Sequence, residues 1–178
     1  MNFPTVIVLA SGRGTRFSAS GGGTHKLQTL LAGKSVLQHT LDCVIASGLP
    51  WYLEQSGEPG MGDSIAAAVR ATAQSPGWLI LPADLPLIQS RTLRSVARAL
   101  GEHEVVVPVY QEWRGHPVGF SAVCGAELQK LRGDQGAASV ARRHEAVELR
   151  VNDLGCVTDI DTLDDLRLAE RLLGGAAD

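Results

Sequence analysis

Residues 6–26 read VIVLASGRGTRFSASGGGTHK, an apolar run followed at once by a polar loop that is rich in glycine. The run at residues 5–10 is short, contains several β-branched residues and is bounded by Pro4 and Gly12. Strands of this kind are buried on both faces, and they occur mainly in parallel sheets that helices cover on either side. The opening stretch therefore predicts a parallel sheet whose first strand leads directly into a glycine-rich, cationic loop.

The rest of the chain alternates short apolar runs with helical patterns. Further strands are predicted at residues 78–81, 104–110, 117–123 and 147–151, and residues 49–55 are ambiguous. Helices are predicted at residues 35–48, 60–73, 90–101 and 162–175, with shorter ones at 126–133 and 136–144. This alternation predicts one α/β domain over residues 1–178, a three-layer α/β/α sandwich with a Rossmann-like, mostly parallel sheet.

Three of the predicted helices carry a start signal in the sequence. Ser35 with Gln38, and Thr162 with Asp165, have the spacing of a capping box. Ser90 is the expected N-cap of the helix that follows the second apolar strand.

Composition narrows the class of protein. The 178-residue chain is 44% hydrophobic with a net charge of −3, so it lacks the basic footprint of a nucleic-acid-binding surface. Cys43, Cys124 and Cys156 are far apart in the sequence and predict neither a disulfide framework nor a zinc site. The apolar run near the N-terminus is too short for a signal peptide or a membrane span. We therefore expect a cytoplasmic protein without membrane contact.

The glycine-rich loop is expected at the carboxyl end of the first strand, where α/β proteins bind ligands. Glycines let a ligand approach the main chain, and Arg13, Arg16 and Lys26 can pair with phosphate oxygens. The alternative is a flexible surface loop with solvated cations. The loop matches neither a P-loop nor a strict dinucleotide fingerprint, because Phe17 stands where the fingerprint requires glycine.

Three aspartates are predicted at the same edge of the sheet. Asp84 directly follows the strand at residues 78–81 and can hold Mg²⁺ against phosphate oxygens, unless it is a turn residue or a helix cap. Asp159 and Asp161 are two residues apart, so in an extended segment they point the same way and can share a cation with Asp84. The alternative is that Asp161 or Thr162 simply caps the last helix.

Two further segments add polar groups. Residues 60–64 are expected at a helix N-terminus, where backbone N–H groups can bind anions. His116, beside Arg114 and Gly115, can orient a polar ligand, although a lone histidine more often has a structural role. No serine or cysteine stands in an arrangement typical of covalent catalysis.

Taken in order, these motifs resemble those of the MobA-like NTP transferase family, and most closely the molybdenum cofactor cytidylyltransferases of the MocA type. The matching pieces are VLASGRGTRF with Lys26, GMGDSIAAAV, LILPADLPLI, RGHPVGFS, LRGDQGAASV and VTDIDTLDDL. They span nearly the whole chain in the order of the family. The resemblance implies a fold of the nucleotide-diphospho-sugar transferase type and a Mg²⁺-dependent nucleotidyltransferase that releases pyrophosphate.

The resemblance also implies roles for individual residues. The implied catalytic residues are Arg16, Lys26 and Asp84. The implied nucleotide-binding residues are Leu9, Ala10, Ser11, Gly12, Arg13, Gly14, Lys26 and Asp84. The implied acceptor-binding residues are Gly60, Met61, Gly62, Ser64, Arg114 and His116. The implied metal ligands are Asp84, Asp161 and Asp159, with Asp161 ranked above Asp159.

The expected partners are an NTP and a phosphorylated small molecule such as molybdopterin, with a molybdoenzyme as the recipient of the product. Ser11 is a small residue rather than a glycine, which within the resemblance favours CTP over GTP. Two features depart from the family. Only twelve residues separate Gly48 from Met61, where relatives carry an extra strand and helix, and SASGGGTHK is longer than the compact phosphate loop of relatives. The alternatives are a nucleotidyltransferase for a sugar phosphate or another small phosphate, and a non-catalytic nucleotide-binding relative.

Overall fold

The computed structural model describes residues 2–12, 14–23, 25–57 and 59–175 as a seven-stranded sheet and a separate two-stranded hairpin, with helices on both sides of the large sheet. The strands are β1 (Thr5–Leu9), β2 (Leu30–Leu31), β3 (Lys34–Ser35), β4 (Trp51–Glu54), β5 (Gly77–Pro82), β6 (Val105–Tyr110), β7 (Trp113–Arg114), β8 (Val118–Ser121) and β9 (Ala146–Arg150). The helices are α1 (Thr15–Ala19), α2 (Val36–Ser47), α3 (Met61–Ala71), α4 (Ser90–Ala99), α5 (Gly125–Leu128), α6 (Ala138–Ala141) and α7 (Leu163–Gly174). Short 3₁₀ turns occupy Lys26–Gln28, Ala122–Cys124 and Leu154–Val157.

The large sheet has the strand order β4-β1-β5-β8-β6, and β6 also pairs with β7 and β9. β1, β4, β5, β6 and β9 run in one direction, whereas β7 and β8 run antiparallel to their neighbours. The predicted α/β/α sandwich with a mostly parallel sheet is therefore confirmed. The segment at residues 49–55, which is ambiguous in the sequence, supplies the edge strand β4.

Alternate residues of the central strands pack into two separate cores. Val6 and Val8 of β1 face α2, α4 and α7, whereas Ile7 between them faces α3 and the short helices α5 and α6. β5 shows the same alternation, because Leu79 and Leu81 belong to the first core and Trp78 and Ile80 to the second. Burial on both faces explains why these strands are apolar throughout rather than alternating.

Of the three predicted helix starts, one forms completely, one forms in part and one is wrong. α7 has the complete predicted capping box between Thr162 and Asp165. In α2 the hydroxyl of Ser35 accepts from the Gln38 amide at 3.1 Å, but the Gln38 side chain donates to Asp42 instead of returning to the cap, so only half of the box forms.

The prediction that Ser90 caps α4 is wrong. Ser90 is the first helical residue, and the preceding Gln89 makes no side-chain cap. The buried carboxylate of Asp153 instead anchors this end of the helix, because it accepts from the Gln89 amide at 3.0 Å and from the Thr92 hydroxyl at 2.5 Å, while the Thr92 amide donates to the Gln89 carbonyl.

No helix in the described ranges combines the length and the apolar character that a bilayer crossing requires.

Candidate active site

A cleft of about 1230 Å³ opens at the edge of the sheet where β1 and β5 end. The predicted site residues that line it are Leu9, Ser11, Gly12, Gly14, Arg16, Lys26, Gly60, Met61, Ser64, Asp84, Arg114, His116, Asp159 and Asp161. Ala10 and Gly62 do not line it, and Arg13 lies outside the described residues. The structure thus brings five predicted segments around one cavity. They are the glycine-rich loop, the end of β5 with Asp84, the segment with Asp159 and Asp161, the start of α3, and the residues Arg114 to His116.

Lys26 lies where two of the predicted metal ligands converge. Its Nζ donates to Asp84 Oδ2 at 2.6 Å and to Asp161 Oδ1 at 3.0 Å, and its side chain is only 12% exposed. Arg16 donates to the other oxygen of Asp161 from an exposed position. Two cations therefore already neutralise a pair of carboxylates at the floor of the cleft.

This pairing shifts the protonation equilibria of the groups involved. Burial by itself lowers the pKa of Lys26, but the charges and hydrogen bonds of Asp84 and Asp161 outweigh it and raise that pKa. Burial raises the pKa of Asp161, but Lys26 and Arg16 more than offset this and lower that pKa. Asp161 is therefore held as a carboxylate and Lys26 as an ammonium at neutral pH.

Asp159 behaves differently from Asp161. Its side chain is exposed by surface area, yet the protein around its carboxylate removes enough water to raise its pKa, and the charges of Asp84 and Asp161 raise that pKa further. A cation bound beside Asp84 and Asp161 would offset their negative charge and so favour the ionised form of Asp159.

The backbone fixes the two acidic segments relative to each other. The Ile160 amide donates to the Asp84 carbonyl at 2.9 Å, which ties the segment before α7 to the end of β5. Asp165 accepts from the amides of Asp161 and Thr162 at 3.1 and 2.7 Å, and so orients Asp161 from behind. Of the two residues that the alternative interpretation offers as the helix cap, Thr162 fills that position and Asp161 does not, so the side chain of Asp161 is left to face Lys26 and Arg16.

The three aspartates together fit a divalent cation. Asp84, Asp159 and Asp161 each offer a carboxylate oxygen, and these oxygens lie within 4.8 Å of one another. Asp84 Oδ1 is buried and has no hydrogen-bond partner among the described residues. An unpaired buried carboxylate oxygen is costly, and coordination by a hard cation such as Mg²⁺ removes that cost.

The first loop is shaped by Gly14 and by a histidine. Gly14 adopts the left-handed conformation at φ +62°, directly before α1, which favours glycine there. His25 Nδ1 accepts from the Leu27 amide at 3.3 Å, so its Nε2 carries the proton and donates to the Gly12 carbonyl at 2.7 Å. Sequence reasoning missed this role of His25, because its partners are main-chain groups that no motif records.

The glycines before α3 are required by close packing. A Cβ at Gly60 would overlap the backbone of Gly133, and one at Gly62 would lie 2.7 Å from the carbonyl oxygen of Gln135. The Gly62 amide donates to the Gly133 carbonyl at 2.7 Å, and Asp63 accepts from the Gly133 amide at 2.8 Å. The N-terminus of α3 is thus partly occupied by the loop at residues 131–136, which reduces its capacity to bind an anion.

Ser11 and Ser64 join the two halves of the cleft. Their hydroxyl oxygens are 2.8 Å apart, and Ser64 is buried. The residue predicted to contact the nucleotide and a residue predicted to contact the acceptor therefore share a hydrogen bond.

The strand β7 and the residues after it form the far wall. The His116 amide donates to the Cys156 carbonyl at 2.9 Å, and a Cβ at Gly115 would lie 2.5 Å from the same oxygen. Burial lowers the pKa of His116, against the charge of Asp84 and the carbonyl of Ile80, so the ring is neutral near pH 7. Arg114 points its guanidinium at Glu148, with contacts of 2.9 and 2.7 Å, rather than holding it unpaired.

Comparison with known proteins agrees with this arrangement. The sequence profile of the family described as the MobA-like NTP transferase domain matches residues 44–147. The bifunctional protein GlmU of Desulfitobacterium hafniense is 26% identical over 147 residues, which cover 71% of this chain and 32% of GlmU. The chain therefore spans about a third of the length of the GlmU proteins that it matches. The purine catabolism protein PucB of Bacillus subtilis is 28% identical over 130 residues, which cover 69% of this chain and 63% of PucB.

Solved structures extend the likeness to nearly the whole fold. Rv0371c from Mycobacterium tuberculosis H37Rv superposes with a TM-score of 0.80 at 26% identity, covering 96% of this chain and 98% of that one. A second crystal structure of Rv0371c is a complex with manganese and superposes with a TM-score of 0.75 at 24% identity, covering 95% and 98% of the two chains.

Proposed function

Because the chain belongs to the family of MobA-like NTP transferase domains, we propose that it is a nucleotidyltransferase. It moves the nucleoside monophosphate of an NTP onto a phosphorylated small molecule and releases pyrophosphate. The observation that carries this proposal is the convergence of Asp84, Asp159 and Asp161 with Lys26 at the ends of β1 and β5. A phosphate-binding surface loop alone would not need three carboxylates beside its lysine.

The reaction suits a site without a general base. An acceptor phosphate is already ionised at neutral pH, so its oxygen attacks the α-phosphorus of the NTP directly while the bond to pyrophosphate breaks. The barrier lies in bringing anions together and in the charge that develops on the leaving group. Lys26 and Arg16 stabilise that charge, and each such group contributes on the order of 10²-fold in rate.

The metal is proposed to be Mg²⁺, held by Asp84 and Asp161 with Asp159 beside them. When bound, it neutralises the carboxylates and supplies Lewis-acid stabilisation to the phosphate oxygens. The unpaired Oδ1 of Asp84 supports this assignment. The Lys26 ammonium, which now bridges the two ligands, then becomes available for the phosphates.

The proposed nucleotide is CTP and the proposed acceptor is molybdopterin or the molybdenum cofactor, with a molybdoenzyme receiving the product. Ser11 supports CTP, since within the resemblance a small side chain in place of glycine at this loop position favours cytidine over guanine. Its hydrogen bond to Ser64 supports contact between the nucleotide and acceptor halves of the cleft.

The test is pyrophosphate release from each of the four NTPs with Mg²⁺, with and without molybdenum cofactor. We expect release with CTP and the cofactor, and a loss of about 10²-fold or more in Asp84→Asn. Asp164→Asn is the matched control, because Asp164 is exposed and pairs only with Arg167 among the described residues. Release only with a sugar phosphate would favour the alternative acceptor, and no nucleotide binding by calorimetry would contradict the proposal.

A further inference from the structure

Two aromatic residues on the far wall of the cleft have no role in nucleotide transfer as described above. Tyr110 of β6 and Trp113 of β7 are directly opposite each other in the antiparallel pair, and both line the cleft. Opposed residues of antiparallel strands project their side chains from the same face, so the two rings lie side by side. Trp113 is 70% exposed, the largest exposed fraction among the large hydrophobic residues in the described ranges.

The hairpin that carries these rings is anchored. The Gly115 amide donates to the Pro108 carbonyl at 2.8 Å, and the next amide donates to Cys156 at 2.9 Å. Arg114 is held by Glu148 on β9. Trp113 is therefore presented to the cleft by a fixed support, and with Tyr110 beside it the exposed apolar surface lies inside a cleft, as it does in ligand-binding grooves.

The two rings and the three carboxylates line the same cleft. Trp113 is three residues from His116, so their Cα atoms are at most about 10 Å apart. His116 lines the same cleft as the three aspartates, and it lies two residues before β8, which pairs with β5, the strand that leads to Asp84. An acceptor whose ring lies on Trp113 can therefore place its phosphate at the aspartate cluster.

The rest of this wall favours a ring over a hydroxyl-rich ligand. Leu154, which is 40% exposed, and Val157 line the cleft on the 3₁₀ turn that supports the hairpin. Arg114 on this wall is already paired with Glu148. The ring and aliphatic surfaces of this wall offer no hydrogen-bond partner to a sugar hydroxyl, whereas they can pack against the face of a ring.

We propose that Trp113, with Tyr110 beside it, stacks on a planar heteroaromatic ring of the acceptor and determines acceptor specificity. This inference rests on the proposed nucleotidyltransferase function, and it adds the residue that recognises the ring of the acceptor. Stacking of one base on an aromatic side chain is worth on the order of tenfold to a hundredfold in affinity.

Calorimetry with a pterin monophosphate tests the proposal directly, with and without Mg²⁺ and α,β-methylene CTP, which cannot release pyrophosphate. We expect Trp113→Ala to weaken pterin binding by about tenfold to a hundredfold and Trp113→Phe to retain most of it. Trp51→Ala is the matched control, because Trp51 is an exposed tryptophan that does not line the cleft. Binding of the methylene CTP should be the same in all variants.

Several results would overturn the stacking proposal. They are an absence of pterin binding to the unaltered protein, binding of glucose 1-phosphate in its place, and equal behaviour of Trp113→Ala and Trp51→Ala. If the pterin binds through Trp113 but no NTP yields pyrophosphate, the stacking proposal stands and the transferase activity fails.

Discussion

The ammonium group of Lys26 lies beside the proposed metal ligands, 2.6 Å from Asp84 Oδ2 and 3.0 Å from Asp161 Oδ1. Asp84 Oδ1 has no partner among the described residues, but the positive charge of Lys26 on the same carboxylates opposes the binding of a metal ion there. Metal binding to the nucleotide-free protein must therefore overcome this ion pair, whereas an NTP offers Lys26 new partners at the same moment.

We predict that Lys26→Gln tightens Mn²⁺ binding to the nucleotide-free protein by about tenfold, because a competing positive charge is removed. The same change should weaken NTP binding. Mn²⁺ binding is measured by electron paramagnetic resonance of the free ion. Lys34→Gln is the control, since Lys34 is exposed and pairs with Asp42 away from the cleft. Weaker Mn²⁺ binding in Lys26→Gln would refute the competition.

The two neighbouring aspartates should differ in importance. Asp161 is oriented by Asp165 and held ionised by Lys26 and Arg16, whereas burial and nearby carboxylates raise the pKa of Asp159. We predict that Asp161→Asn lowers kcat/KM by about 10²-fold or more and that Asp159→Asn lowers it by about tenfold. Steady-state kinetics at saturating Mg²⁺ decide this, and the reverse order would show that Asp159 is the main ligand.

At the level of elements, α3 is fixed to the loop at residues 131–136 through its glycines. A Cβ at Gly62 would lie 2.7 Å from the Gln135 carbonyl and 2.9 Å from backbone atoms of Arg132. We predict that Gly62→Ala lowers the free energy of unfolding by roughly 1–3 kcal/mol, because neither neighbour is a flexible side chain. Gly174→Ala is the control, as Gly174 is also helical and, outside its own helix, no atom of the described residues lies within 4 Å of its Cβ position. Equal unfolding curves in urea would contradict the close packing.

A second link between elements predicts a pH dependence. His144 contacts Glu104 and Glu127 at 2.8 Å with its two ring nitrogens, and both nitrogens donate only when the ring is charged. These hydrogen bonds raise the pKa of His144 above its usual value near 6.5. Because the pKa of His144 is raised in the folded state, the stability that its charged ring contributes is complete below about pH 6.5. That contribution is lost as the pH rises through the pKa of the folded state.

The unaltered protein should therefore lose more thermal stability between about pH 6 and pH 8.5 than His144→Asn does. Melting temperatures by circular dichroism at both pH values measure this difference. His103→Asn is the control, because His103 is an exposed histidine in the same region of the fold. An identical pH dependence in His144→Asn and the unaltered protein would show that the bridge does not stabilise the fold.

The elements were largely predictable because their signals are local. The apolar runs of β1 and β5 and the periodicity of α4 and α7 lie within single windows of sequence. The start of α4 was not predictable in the same way, since the group that satisfies it, Asp153, lies 61 residues beyond Thr92. The cap of an isolated helix is a local property, but this one depends on tertiary contact.

At the scale of the whole molecule, the sheet brings distant parts of the sequence to one edge. Asp84 was expected there because it follows an apolar strand, and the structure agrees. The partnership of Lys26 with Asp84 and Asp161 was not predictable, as it joins residues 58 and 135 positions apart. The sequence suggested that all three would meet a ligand and gave no indication that they neutralise one another.

Although the segment between Gly48 and Met61 is short, it still supplies a strand that pairs with β1 beside the cleft. Trp51–Glu54 of this segment form the single edge strand β4, and the Ala10 amide donates to the Glu54 carbonyl at 2.8 Å. The first loop is thereby still supported by a strand on either side of β1. This arrangement favours a catalytic protein over the alternative of a non-catalytic nucleotide-binding relative.

In the proposed reaction, the aspartate cluster directs transfer of the nucleotidyl group, which contains the α-phosphate, from an NTP to the acceptor. The direct test uses CTP labelled at either the α- or the γ-phosphate, with Mg²⁺ and molybdenum cofactor, in the unaltered protein and Asp84→Asn. We predict that the α-label appears on the acceptor and the γ-label in pyrophosphate, and that both signals are lost in Asp84→Asn. Transfer of the γ-label to the acceptor, or transfer that persists in Asp84→Asn, would contradict the account.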